Sequence, residues 1–172
     1  MNAETYNTEI ARLSQQLVTR ASAAGIMVTC AESCTGGLVT AALTDIAGAS
    51  AVLDRGFVTY SNAAKTDLLG VAPATLMAHG AVSAETATEM VHGALATATG
   101  TSLAVSITGI AGPGGGSADK PVGLVFFGRA IAGGGTQSWR HHFTGDRASI
   151  REQATMRALN LMIEGIPAQD HA

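Results

Sequence analysis

Val28-Thr29-Cys30-Ala31-Glu32-Ser33-Cys34-Thr35-Gly36-Gly37 is the stretch on which the reading of this chain turns. A β-prone apolar run, Ile26 to Ala31, stops at a carboxylate and then a hydroxyl. Two glycines follow, and then a helical apolar pattern: Leu38, Ala41, Ala42, Ile46. Strand, tight polar turn and helix is the plan that puts a serine at the mouth of a parallel sheet, beside the free N–H groups of a helix start. No other stretch gathers a nucleophile, an acid and two glycines into so few residues.

Outward from that turn, helix and strand signals alternate. Ile10, Leu13, Leu17 and Ala21 give residues 4–24 a helical stripe that Gly25 stops. After a turn at Gly48-Ala49-Ser50, residues 52–60 read as a second strand ending at Tyr60. Ser61 or Asn62 caps a short helix, 63–69, and Pro73 opens another that ends before Gly80. Ser83 caps a longer helix with Ala87, Val91, Ala94 and Ala98 inward. Leu103–Thr108 is continuously apolar, as a central strand would be, and runs into the glycine-rich loop 109–117. Strands over 122–130 and 136–143 flank a Gly133-Gly134-Gly135 turn, and a final helix starts near residues 144–147. The tail after Pro167 reads as frayed. The pattern predicts a three-layer α/β/α domain on a mixed, mostly parallel sheet with one hairpin. A single domain, 1–172 with a core of about 8–165, is expected.

Composition narrows the function. Of 172 residues, 47% are hydrophobic but only 4% aromatic, so alanine and 21 glycines should make a thin core with helices lying close on the sheet. The net charge of −3 and a scattered set of ten Lys and Arg argue against nucleic acid as a partner. No apolar run approaches the roughly 18–20 residues that span a membrane. Glu4, Glu9 and Arg12 lie in a helical pattern unlike a signal peptide, so a cytoplasmic protein is expected. Low surface charge favours self-association, with a dimer as the expected homo-oligomer. The two cysteines, Cys30 and Cys34, are expected as free thiols, and no metal site is expected from them.

Two constellations can carry chemistry. The 109–116 loop fits neither the dinucleotide fingerprint nor the P-loop, because Pro113 interrupts it and Lys120 precedes a proline; no nucleotide cofactor follows. Its glycines serve either close approach to a ligand or a plain connector. Ser33 is either a nucleophile or a helix cap, and Cys34 is a rival nucleophile. The amides from Cys34 to Gly37 suit an oxyanion or a phosphate alike. In Tyr60-Ser61-Asn62-Ala63-Ala64-Lys65, the lysine sits in a first helical turn, where the macrodipole disfavours a cation. Burial there would yield a neutral amine able to act as base, with Tyr60 relaying a proton or orienting the amine. The bland reading is a surface lysine and an edge tyrosine. A Ser-His-Asp set using His141 or His142 with Asp45 or Asp54 has no support in spacing, and Arg147 and Arg151 open the last helix.

A-E-S-C-T-G-G (31–37), V-T-Y-S-N-A-A-K (58–65), H-G-A-V-S (79–83), T-G-I-A-G-P-G-G-G (108–116), K-P-V-G (120–123) and G-D-R (145–147) resemble, in order, the blocks of the CinA C-terminal domain family. Its enzymatic members are nicotinamide-nucleotide amidohydrolases. The resemblance implies deamidation of nicotinamide mononucleotide to the acid and ammonia, feeding pyridine nucleotide recycling, with no cofactor or metal. The alternative is a catalytically silent binding module of the competence-associated type. The activity of the N-terminal domain found in longer family members is not expected. By position, Ser33 resembles the nucleophile and Tyr60 with Lys65 its activating pair. Glu32, Cys34, Thr35, Gly36, Gly37, Thr108, Gly109 and Gly112 fall in the substrate pocket, and Arg147 resembles a phosphate ligand.

Overall fold

The computed structural model describes residues 3–167, so the tail beyond Pro167 lies outside the described residues. The elements run α1 (Ala3–Ala24), β1 (Val28–Glu32), α2 (Leu38–Thr44), a 3₁₀ turn (Ala49–Ala51), β2 (Leu53–Val58), α3 (Asn62–Leu69), α4 (Pro73–His79), α5 (Ala84–Thr97), β3 (Leu103–Gly109), β4 (Leu124–Ile131), β5 (Thr136–His142) and α6 (Arg147–Gly165). Capping explains many of the boundaries. Ser61, Ser83 and Asp146 accept the N–H groups of Ala64, Thr86 and Ser149, and Gly70 leaves α3 at φ 66°. The first strand starts later than Ile26, because the Ile26 N–H is taken by Ala21 O at the end of α1.

The five strands lie in the order β2-β1-β3-β4-β5. β1 pairs in parallel with β2 and β3, while β3–β4 and β4–β5 are antiparallel. Four strands share a direction, as a mostly parallel sheet requires, yet half the pairings are antiparallel. The expectation of one hairpin is corrected: besides the tight β4–β5 turn, the glycine-rich loop also reverses the chain, from β3 into β4.

Helices cover both faces. Leu103, Val105 and Ile107 of β3 face a layer of α1, α2 and α6, packed with Leu13, Leu17, Leu43, Leu159 and Leu161. The alternate residues Ala104 and Ala31 face α5 with Met90, Val91 and Ala94. The thin core expected from composition is on this second face. Ser106 Oγ donates to Ala87 O of α5 at 2.5 Å, and a Cβ on Gly128 would lie 2.7 Å from that same oxygen. Gly93 is closer still: its Cβ would meet Leu69 O at 1.9 Å, where α3 ends against α5. Gly93→Ala must push α3 outward. It is expected to cost about 1–3 kcal/mol, lowering Tm by roughly 3–10 °C in a chain of this size, as scanning calorimetry would read. Among the described residues no helix is long and apolar enough to cross a membrane.

Candidate active site

At the end of β1 the Glu32 side chain folds forward under the start of α2. Fully buried, its carboxylate accepts from Gly37 N (2.9 Å), Val39 N (3.1 Å), Thr40 N (2.9 Å) and Thr40 Oγ1 (2.7 Å). The donors of this helix start, and its positive dipole end, are thereby spent on an internal anion. Two sequence expectations change. Ser33 is not the cap of α2: Gly37 holds that position at φ 100°, with no side-chain bond. The amides after Ser33 are not collectively available to a ligand either. Ser33 N donates to Ile107 O, Gly36 N to Ser33 O, and Leu38 N to Thr35 O. Within 33–40 the Cys34 and Thr35 amides alone lack a partner from another described residue, and Thr35 is fully buried.

Lys65 is buried against Ser33. The parallel register Glu32↔Val58 aligns the ends of β1 and β2, and Thr59 N continues the ladder onto Glu32 O at 2.8 Å. α3 then turns back over Ser33. The Lys65 side chain is 1% exposed, and its Nζ donates to Ser33 Oγ at 3.0 Å and to Thr59 O at 2.8 Å. Burial pushes its pKa below the ordinary lysine value, and a negative charge on Cys34 is the opposing influence. That charge is absent near neutrality, because the Cys34 thiol is itself pushed up to about 12, above all by burial. The rival thiolate nucleophile is therefore disfavoured.

Ser33, Cys34, Tyr60, Lys65, Thr108, Gly109, Gly112 and Arg147 line one cavity of about 270 Å³. Glu32, Thr35, Gly36 and Gly37 lie outside its lining and build the turn instead. Tyr60 is 62% exposed, and its hydroxyl accepts from Arg147 Nη2 at 3.0 Å. The hydrogen-bond partners of Lys65 are Ser33 and Thr59, so the structure does not pair the amine with Tyr60. Arg147 also donates to Gly112 O at 2.7 Å, spanning the cavity mouth from the glycine-rich loop to the end of β2. Thr108 Oγ1 is committed to Ala81 O at 2.6 Å. Gly109 must lack a side chain, since a Cβ would meet Leu124 O at 2.8 Å.

Sequence reasoning missed Thr59, Ala81, Val82, Lys120 and Arg151 as parts of this region. Ala81 and Val82 line the cavity, and Lys120 Nζ fastens their segment through His79 O (2.6 Å) and Val82 O (2.7 Å). The H-G-A-V-S and K-P-V-G blocks were the signal for this, although nothing in either gave its partner. None of His141, His142, Asp45 and Asp54 lines the cavity, and His142 Nε2 lies 3.0 Å from Val122 O. The Ser-His-Asp alternative is not assembled.

Known proteins resemble this chain in sequence and in fold. The CinA C-terminal domain matches residues 10–166. The nicotinamide-nucleotide amidohydrolase PncC of Shigella flexneri is 52% identical over 156 residues, covering 91% of this chain and 94% of that one. The protein of the same name from Escherichia coli K12 is 51% identical over the same shares. The crystal structure of the competence/damage inducible protein CihA from Agrobacterium tumefaciens superposes with a TM-score of 0.88 at 48% identity, covering 91% of this chain and 94% of that one. With sequence and fold matched over nearly the whole length, the chain belongs to the CinA C-terminal domain family.

Proposed function

We propose that this protein hydrolyses the carboxamide of nicotinamide mononucleotide, giving nicotinate mononucleotide and ammonia. The observation that carries the reading is the buried contact of 3.0 Å between Lys65 Nζ and Ser33 Oγ inside a cavity. The names of the Shigella and Escherichia relatives support the substrate. Neutral Lys65 donates one N–H to Thr59 O, which leaves its lone pair for the Ser33 proton. Ser33 Oγ then bonds to the carboxamide carbon, and the oxygen takes up negative charge. The lysine ammonium returns the proton to the nitrogen as the C–N bond breaks, and ammonia leaves. Water, deprotonated by the same amine, splits the acyl-serine ester. Arg147, at the cavity mouth, is a ligand for the substrate phosphate, with Tyr60 holding the guanidinium in place. We further read residues 1–172 as one domain acting in cytoplasmic pyridine nucleotide recycling, as a homodimer.

The test incubates purified protein with nicotinamide mononucleotide in chelator-containing buffer. Ammonia and nicotinate mononucleotide should appear in equal amounts, with no free nicotinamide. Absence of ammonia would sink the substrate assignment and leave the silent-module alternative.

A further inference from the structure

The groups that immobilise the Ser33 turn are distinct from those the chemistry uses. α6 passes behind the turn, and Arg151 donates from Nε to Cys34 O at 3.1 Å and from Nη2 to Thr35 O at 2.8 Å. Among the described residues no carboxylate pairs with this guanidinium; both bonds go to neutral carbonyls of the turn.

Peptide planarity carries this anchoring forward. In a trans peptide the N–H points opposite to the C=O. Holding Thr35 O toward α6 aims the Gly36 N–H the other way, onto Ser33 O at 3.1 Å. That bond fixes the Ser33 carbonyl, and the same rule directs the Cys34 N–H away from it. The Cys34 amide has no partner from another described residue, and Cys34 lines the cavity beside Ser33. The remaining amides of the turn are bonded internally or, at Thr35, buried.

We propose that Arg151 is a positioning residue for acyl transfer: through the Cys34 and Thr35 carbonyls it holds the turn so that the Cys34 N–H receives the oxyanion formed when Ser33 attacks. The proposal rests on Ser33 being the nucleophile, and it goes beyond that reading by naming the donor and what aims it. The local field agrees. Burial is the largest influence on the Cys34 thiol and opposes its ionisation, as does the Glu32 carboxylate; its own backbone amide, Lys65 and Arg151 favour negative charge there. The oxyanion oxygen, two bonds from Ser33 Oγ in the tetrahedral adduct, develops its charge beside the same groups.

The experiment compares wild type, Arg151→Lys and Arg151→Met, each checked for folding by thermal melt. The probe is an alkyl fluorophosphonate, which joins its phosphorus to Ser33 Oγ, loses fluoride and leaves a phosphoryl oxygen in the oxyanion position. Labelling of Ser33 is followed by intact-mass spectrometry. Arg151→Met is expected to label about 10²-fold more slowly, as for loss of one oxyanion donor. Its kcat should fall by a similar factor while KM stays within about threefold. The alkaline rise due to Lys65 should not move. Arg151→Lys keeps the charge but not the two-pronged geometry, and should recover part of the rate. Folded variants that label at the wild-type rate overturn the proposal, as does a deficit confined to KM. If Arg151→Met does not fold, Arg151→Lys decides: labelling about tenfold slower supports the proposal, and wild-type labelling refutes it. Wild type that resists labelling at Ser33 overturns both this inference and the nucleophile assignment. Fast labelling of wild type and slow labelling of the variants support it even without turnover of nicotinamide mononucleotide, in which case the substrate assignment alone fails.

Discussion

Ser33→Ala is expected to lower kcat for nicotinamide mononucleotide by about 10⁴–10⁶-fold, because removing a nucleophile disables the whole acyl-transfer unit. Lys65 would then be a base with nothing to deprotonate: its contacts in the structure are Ser33 Oγ and Thr59 O. KM should change little, since Arg147, the proposed phosphate ligand, and the loop walls are untouched. The fold should survive, as the lost hydroxyl only accepts one bond and the Ser33 N–H stays on Ile107 O. The check is a coupled assay for ammonia with a thermal melt alongside. Equal, slow ammonia release by wild type and variant would refute the serine mechanism.

Lys65 should be as indispensable and more informative. Lys65→Met and Lys65→Arg are each expected to lose about 10⁴-fold or more in kcat, Arg because a guanidinium stays protonated. In the wild type, kcat/KM should rise with pH as the ammonium deprotonates, at a value below the roughly 10.4 of an unperturbed lysine, since burial lowers it. Stability follows the same titration. Between the lowered folded value and the ordinary unfolded one, the unfolded chain binds the extra proton, so stability rises with pH across that window. The contribution is complete above the unfolded value and is lost as pH falls through the folded one. Lys65→Met removes the titrating group. Its stability relative to wild type should therefore be greatest near pH 7 and shrink toward about pH 10, as denaturant titrations at the two pH values would read. A difference independent of pH would contradict the burial of a titrating amine, and near-normal turnover by Lys65→Arg would remove the base assignment.

The site was unevenly legible. Ser33 stood out because strand, glycine turn and helix are local patterns: Gly36 and Gly37 adopt φ of 63° and 100°, which a β-carbon would strain. Lys65 was marked by breaking a local rule, a cation in a first helical turn, and the structure supplies a partner, Ser33, 32 residues away. Glu32 entered the site only through the family resemblance. In the structure its carboxylate, at the end of a fully buried strand, needs donors and finds them in the amides of α2. Tyr60 was paired with the lysine because it ends its strand on the same side and by the family resemblance; its hydroxyl meets Arg147, 87 residues on.

By itself the sequence determined the elements, the caps of α3 and α5, the layered sheet and the presence of Ser33 at a strand end, because each follows from periodicity and turn chemistry within a few residues. Only the tertiary structure decided which polar groups meet. The β1–β2 register brings Thr59 and then Lys65 to Ser33, and α6 brings Arg151 to the carbonyls of the turn. Those pairings depend on strand order and on which buried donor finds which acceptor. Both are set by the packing of the whole sheet and lie beyond any local pattern.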